Sequence, residues 1–138
     1  MVLVDSCVWI EAARQQGDLK CKVALQALLE EFEAAICAPV KLEVLGGCRQ
    51  EKRTKMAAGF SVLPYLQTTE KTWEEAIKTG WRLRDHGLVV PWNDILIATV
   101  SIERECRVYS VDKHFAAMSK IIPIFLYEPG YGGIYSPK

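Results

Sequence analysis

The sequence predicts an α/β domain built on a mainly parallel sheet, and two patterns carry this prediction. Short runs such as Val2–Val4 and Ala35–Ala38 are apolar along their whole length. Continuous apolar runs are typical of strands that are covered on both faces. Longer segments with apolar residues at helical spacing lie between these runs. Strands that alternate with helices favour parallel pairing through right-handed connections.

Five segments are candidate strands. They are Val2–Val4, Ala35–Ala38, Val62–Leu63, Val108–Ser110 and Ile121–Tyr127. Val62–Leu63, which ends at Pro64, is the weakest of them, and the longest contains Pro123, which cannot donate a hydrogen bond to a neighbouring strand. We therefore expect a central sheet of about five strands.

Three segments have the apolar spacing of helices: Leu19–Phe32, Thr69–His86 and Asn93–Glu105. The second is predicted to stop at Gly87, and Asn93 is a natural N-cap for the third. Trp73 and Trp81 lie eight residues apart on one face of the second helix. That spacing predicts packing in the core or at an interface for both side chains.

Composition limits the classes of function that the chain can have. Its 138 residues fit one domain, and 17 basic residues balance 17 acidic ones. A nucleic-acid partner would therefore need local basic patches or bound metal. Five scattered cysteines without C-x-x-C spacing suggest neither a disulfide framework nor a zinc site of recognisable type. The apolar N-terminus lacks a basic region and no stretch approaches membrane-spanning length, so we expect a cytoplasmic protein.

Four acidic residues follow predicted strands or open predicted helices. Asp5 follows the first strand candidate directly, and Asp112 follows the fourth by two residues. Glu43 lies in about the first helical turn after the second strand candidate, and Asp94 opens the third helix. Ligands of open parallel sheets bind beyond the carboxyl ends of the strands. The sequence therefore predicts that these four carboxylates meet at that edge.

Each acid alone also has an ordinary structural interpretation. An Asp after a strand is a common turn former, and an Asp in a first helical turn complements the helix dipole. Together the four are harder to explain in this way, because close carboxylates repel by roughly 1 to 4 kcal/mol per pair at intermediate dielectric. Such a cluster is generally neutralised by a divalent cation or by a raised pKa. Mg²⁺ and Mn²⁺ prefer carboxylate oxygens, and they suit phosphate-ester hydrolysis.

Four segments resemble the signature blocks of PIN-domain nucleases. They are VDSCVWIE at 4–11, VKLEVLGG at 40–47, NDILIATVSIE at 93–103 and YSVDKHF at 109–115. The first and third are the more specific. Their order and spacing, and the chain length, are similar to those of toxin ribonucleases of VapBC-type toxin–antitoxin modules. The resemblance covers about residues 1–127 and implies a three-layer α/β/α nuclease domain, which leaves 128–138 as an irregular C-terminal tail.

The resemblance also implies roles for individual residues and partners. Asp5, Glu43, Asp94 and Asp112 would bind one or two Mg²⁺ or Mn²⁺ ions and activate water for RNA hydrolysis. Ser6 and Ser110 match hydroxyl positions that commonly support those carboxylates. The implied partners are an RNA substrate, a small antitoxin protein that occludes the site, and a second copy of the chain in a homodimer.

The fourth block departs from the common pattern D-x-D-F, because His114 stands where a further acid is usual. That leaves the number of metal ions open. His114 is either a structural residue at a helix start, a contact to RNA phosphate or an acid. Lys41, Arg84 and Lys113 either hold substrate phosphates or balance the carboxylates. Trp92, two residues before Asp94, is the tryptophan best placed to contact a base.

Two other functions compete with a ribonuclease. A PIN-like module that binds RNA or protein without cutting is the main alternative, but all four acids are present, which argues against it. A phosphatase with Asp5 as nucleophile lacks the second acid beside Asp5 that such sites usually need.

Overall fold

The computed structural model describes residues 1–129. Within this range the central sheet has four parallel strands in the order β3-β2-β1-β4. The strands are β1 Val2–Val4, β2 Ala34–Cys37, β3 Tyr65–Leu66 and β4 Arg107–Tyr109. Leu3 at the centre of β1 pairs with Ala35 on one side and with Val108 on the other. The predicted α/β class and the parallel sheet are confirmed.

Seven α-helices connect and cover the strands in the described part of the chain. They are α1 Ser6–Ala13, α2 Leu19–Glu30, α3 Ala38–Gly46, α4 Arg53–Ser61, α5 Glu70–Asp85, α6 Trp92–Glu103 and α7 Lys113–Met118, with a 3₁₀ turn at Gln50–Lys52. Helix α1 packs against α2 and α3, and α5 packs along α6. Each helix between paired parallel strands serves as a crossover.

The core consists of the sheet and the inner faces of these helices. Every residue of β1 and β2 is buried, which explains why their sequences are apolar without alternation. Leu28, Ile97 and Phe115 supply large, fully buried side chains from three different helices. The central strands are therefore held rigidly where they end, and the candidate site lies at those ends.

Among residues 1–129 the sheet has four strands, whereas about five were predicted. Only Leu126 of the segment Ile121–Tyr127 forms a bridge, to Val108. Pro123 has no N–H, and Ile124 donates its own to the carbonyl of Ile122 at 2.9 Å. The last candidate strand is thus reduced to one parallel bridge beside β4.

Three other local predictions were wrong. Val62–Leu63 is not a strand, because Val62 caps the end of α4 with an 80% exposed side chain and β3 begins only after Pro64. Helix α2 ends at Glu30, and Phe32 has a positive φ of 58° and is 88% exposed. The N-cap of α6 is Pro91 and not Asn93. The predicted stop of the second helix at Gly87 is confirmed. Helix α5 ends at Asp85, and Gly87 has a φ of 81°, which is incompatible with an α-helix.

Within residues 1–129, no helix is long and apolar enough to cross a membrane. The domain boundary expected near residue 127 stays a prediction. Most of the predicted tail, residues 130–138, lies outside the described residues.

Candidate active site

Asp5 is held at the carboxyl end of β1 by both its backbone and its side chain. Its N–H donates to the carbonyl of Tyr109 on β4 at 2.9 Å, which continues the pairing of the two strands by one residue. Its Oδ1 accepts from the N–H of Ser6 at 2.8 Å, so Asp5 is the N-cap of α1. The side chain is only 4% exposed and faces the site from the sheet edge.

The other carboxylate oxygen of Asp5 has two side-chain donors. Oδ2 accepts from Ser110 Oγ at 2.9 Å and from Cys7 Sγ at 3.2 Å. Ser110 Oγ in turn accepts from the N–H of Asp112 at 3.0 Å, so one hydroxyl links two of the acids. Burial raises the pKa of Asp5 above its ordinary value, and these hydrogen bonds oppose that shift only in part.

Asp94 is the second buried acid, with 6% exposure in the first turn of α6. Its Oδ2 lies 2.8 Å from Nδ1 of His114. Burial is also the main cause that raises the pKa of Asp94, and the hydrogen bond from His114 opposes it. The carboxylates of Asp5 and Asp112 raise it further.

Asp112 caps the short helix α7 and completes a compact group of possible metal ligands. Its Oδ1 accepts from the N–H of His114 at 3.0 Å and lies 3.2 Å from Nδ1 of the same residue. One ligand atom each from Asp94, Asp112 and His114 all lie within 4.8 Å of one another. Neighbouring ligands of an octahedral ion are about 3 Å apart when each lies about 2.1 Å from the ion. The distances from His114 Nδ1 to Asp94 Oδ2 and to Asp112 Oδ1, 2.8 Å and 3.2 Å, are of this size.

Glu43 lies at the rim of the group. It is exposed and sits in the second turn of α3, one turn later than the sequence suggested. Ser6 Oγ donates to Glu43 Oε1 at 2.8 Å, and Asn93 Nδ2 lies 3.5 Å from the same oxygen. The two serines therefore support different acids, with Ser6 on Glu43 and Ser110 on Asp5.

One open groove of about 500 Å³ contains all four acids. Its other lining residues include Ser6, Cys7, Ile10, Glu11, Asn93 and His114. Among the described residues, neither Asp5 nor Asp94 has an ion pair with a lysine or arginine. Two buried carboxylates without a cationic side chain are costly for a folded chain. The donor set and this deficit of positive charge both fit a hard divalent cation.

Sequence reasoning did not identify Cys7 and Asn93 as neighbours of the acids. Cys7 lies 3.3 Å from Ser110 Oγ and accepts from the N–H of Val111 at 3.4 Å. Its thiol is half-buried, and burial raises the pKa to about 11, so it stays protonated and serves as a donor. The available signal was its position two residues after Asp5, in the first turn of a helix that Asp5 caps.

The proposed RNA contacts, except His114, lie outside the lining of this groove. Lys41 Nζ sits 5.6 Å from the centre of the Tyr65 ring, and Trp92 stacks on Trp73 at 6.4 Å. Lys113 lines a neighbouring pocket formed by α2, β4 and α7, and Arg84 is exposed on α5. Their contacts with RNA stay predictions.

Comparison with known proteins shows which family this chain belongs to. A family model for the PIN domain matches residues 2–121. Ribonuclease VapC11 of Mycobacterium tuberculosis is 29% identical over 126 residues, which cover 88% of this chain and 93% of that protein.

Two solved structures have a similar fold. VapBC2 from Rickettsia felis, bound to a DNA fragment from its promoter, has a TM-score of 0.74 at 19% identity and covers 91% of this chain and 97% of that one. VapC20 of M. tuberculosis, a Sarcin-Ricin loop cleaving toxin, has a TM-score of 0.66 at 19% identity. The match covers 91% of this chain and 99% of VapC20. Because the family model spans most of its length, the chain belongs to the PIN domain family.

Proposed function

We propose that this protein is a divalent-cation-dependent endoribonuclease and the toxin of a toxin–antitoxin pair. The observation that carries the proposal is the pair of buried carboxylates, Asp5 and Asp94, which share an open groove with Asp112 and Glu43 and have no lysine or arginine partner among the described residues. The relative that is named a ribonuclease covers nearly the whole chain and supports hydrolysis of RNA.

Asp5, Asp94 and Asp112 would hold one or two Mg²⁺ or Mn²⁺ ions, with Glu43 reaching in from the rim. A cation bound there supplies the charge that lowers the pKa of water and stabilises negative charge on the phosphate. The chain itself fixes the carboxylates in place. Ser110 and Cys7 hold the Asp5 rotamer, and Ser6 anchors the flexible side chain of Glu43.

The acidic groove also constrains how a substrate is bound. Phosphodiester groups are repelled by uncompensated carboxylates, so we expect RNA to bind weakly until the cation is present. Lys41, Arg84, Trp92 and Lys113 lie outside the groove and are the candidates for contacts farther along the RNA strand. An antitoxin partner is supported by the similar fold of VapBC-5 from Mycobacterium tuberculosis, a member of the VapBC family of toxin-antitoxin systems.

An RNA cleavage assay tests the proposal. The full-length protein is incubated with labelled single-stranded and stem-loop RNAs in Mg²⁺, in Mn²⁺ and in excess EDTA. We expect internal cleavage in at least one metal and none in EDTA. RNA that is retained but uncut in every metal would instead identify a binding module, and cleavage that persists in EDTA would contradict the role of the cation.

The effect of the cation on stability should depend strongly on pH. The raised pKa values of Asp5 and Asp94 mean that the folded chain keeps their protons at pH values where the unfolded chain has lost them. The resulting stabilisation is complete below the unfolded pKa of about 3.9 and is lost as pH rises through the raised folded pKa. Once the pH is above the folded pKa, both buried carboxylates are charged, at a cost that a cation can offset.

Urea unfolding with saturating Mn²⁺ and with EDTA measures this effect. We expect Mn²⁺ to increase the free energy of unfolding near neutral pH, and the increase should disappear near pH 4 because protons compete for the same oxygens. An equal increase at both pH values would mean that the ion binds elsewhere.

His114→Ala should lower cleavage less than the loss of a carboxylate does. His114 Nδ1 lies 2.8 Å from Oδ2 of Asp94 and 3.2 Å from Oδ1 of Asp112. Removal of such a supporting partner typically costs about 10- to 100-fold in metal affinity or activity. The matched control is His86→Ala, because His86 is exposed at the end of α5 and does not line the groove. Mn²⁺ affinity and kcat measured for both variants check this, and equal behaviour of the two would contradict it.

A further inference from the structure

His114 brings a nitrogen into a group that otherwise consists of carboxylate oxygens. It stands where the fourth signature block usually carries a further acid, so that an imidazole replaces a carboxylate at this position. Its Nδ1 faces Oδ2 of Asp94 at 2.8 Å and Oδ1 of Asp112 at 3.2 Å. We call Asp94, Asp112 and His114 the mixed-donor group, because together they offer one nitrogen and two oxygens.

The fold holds this nitrogen in place. Asp112 is the N-cap of α7, and its Oδ1 accepts from the N–H of His114 at 3.0 Å. His114 therefore lies in the first turn of a helix that packs against α6, the helix that carries Asp94. The side chain of Asp94 is buried, whereas that of His114 is 40% exposed, and both line the open groove. An ion can thus reach the nitrogen from solvent, which a binding site requires.

The tautomer of His114 determines whether Nδ1 is a donor or a ligand. With the proton on Nδ1, the ring donates a hydrogen bond to Asp94. With the proton on Nε2, the lone pair of Nδ1 faces the oxygens of Asp94 and Asp112. Three acceptor atoms at these distances repel one another unless a cation is bound by all of them. The same arrangement therefore serves as a hydrogen-bonded pair without a cation and as a ligand set with one.

We propose that Nδ1 of His114 is a direct metal ligand, and that it gives the site a preference for nitrogen-binding transition-metal ions such as Ni²⁺ and Zn²⁺ over Mg²⁺. Imidazole suits Ni²⁺ and Zn²⁺, whereas Mg²⁺ prefers oxygen ligands and keeps several waters. Toward Mg²⁺, His114 remains a supporting partner of the carboxylates. The inference rests on the proposed function, because it concerns the same site, and it adds which cations that site selects.

Titration calorimetry of the full-length protein with Ni²⁺ and with Mg²⁺ tests the preference. The informative variant is His114→Asp, which restores the acid that the fourth block usually carries. It should weaken Ni²⁺ binding at least about 10-fold, since even the loss of a supporting partner typically costs about 10- to 100-fold in metal affinity. Mg²⁺ binding should stay equal or become tighter, because the new ligand is an oxygen.

The other histidine of the chain provides the control for this titration. His86→Ala should bind both ions as the wild type does, since His86 does not line the groove. If the ratio of the two affinities is the same in His114→Asp and in the wild type, the preference does not come from His114 and this inference fails alone. If the wild type binds neither ion, the proposed function fails with it.

Nitrogen NMR of the protein labelled with ¹⁵N-histidine tests direct ligation. The chain has only two histidines, so their ring nitrogens can be assigned with the His86→Ala variant. Saturating Zn²⁺ should move the Nδ1 resonance of His114 to the position of a metal-bound nitrogen and leave its proton on Nε2. Saturating Mg²⁺ should not, and His86 should be unaffected by either ion. An Nδ1 of His114 that keeps its proton in Zn²⁺ would overturn the inference, even if the ion binds to the carboxylates.

Discussion

Asp94→Asn should abolish RNA cleavage and at the same time stabilise the cation-free protein near neutral pH. Asp94 is buried, and its carboxylate lies close to those of Asp5 and Asp112 and has no lysine or arginine partner among the described residues. The amide keeps the shape of the side chain but removes the buried charge. We expect cleavage to fall at least about 100-fold, which exceeds the loss typical of a supporting partner, and the midpoint of thermal unfolding in EDTA to rise.

Cleavage rates and thermal unfolding in EDTA measure both effects on the same preparations. Asp85→Asn, at the exposed end of α5, is the matched control and should change neither quantity appreciably. Full activity of Asp94→Asn would rule out Asp94 as a ligand. A lower unfolding midpoint would show that the buried charge is already compensated within the chain.

Asp5→Asn and Asp5→Ala should both lose cleavage, but only the alanine variant should lose substantial stability. The amide oxygen of Asn can still accept from the N–H of Ser6 and cap α1, whereas alanine cannot. Alanine also leaves Ser110 and Cys7 with no partner in place of Oδ2, whereas the amide nitrogen of Asn can donate to the Ser110 hydroxyl. Loss of the cap alone costs about 1 kcal/mol, and unpaired buried donors add to that cost.

Urea unfolding of the two variants in EDTA, together with the cleavage assay, separates these roles. Asp18→Ala removes the N-cap of α2 and is the matched control for loss of a cap. It should cost comparable stability through its helix without the additional loss expected from the buried hydrogen bonds of Asp5. If Asp5→Ala is no less stable than Asp5→Asn, the hydrogen bonds seen around Asp5 do not hold the site together.

The sequence was sufficient for the parts of the fold in which one physical signal dominated. Val2–Val4 is apolar because both faces of the central strand are covered, and its position was predicted correctly. Helix α5 was located by its apolar spacing and by its stop at Gly87. Phe32 and Val62 misled the prediction, because both apolar side chains are in fact exposed where their helices end.

The candidate site was predictable in its location more than in its detail. Parallel strands end at one edge, and this topology alone predicts that Asp5 and Asp94 lie near each other. The long-range contacts could not be derived in this way. Nothing in the spacing of Ser6 and Glu43, 37 residues apart, indicates a hydrogen bond of 2.8 Å. The contact of His114 with Asp94 likewise depends on how α7 packs against α6.

Binding of Mn²⁺ to the free protein is the most direct test of the central claim, that these carboxylates form a cation site. The electron paramagnetic resonance signal of free Mn²⁺ can be followed as wild type, Asp94→Asn or Asp85→Asn is titrated with the ion near neutral pH. The account predicts saturable uptake of at least one ion per chain by wild type and Asp85→Asn, and strongly weakened uptake by Asp94→Asn. Equal uptake by all three proteins, or none by the wild type, would contradict it.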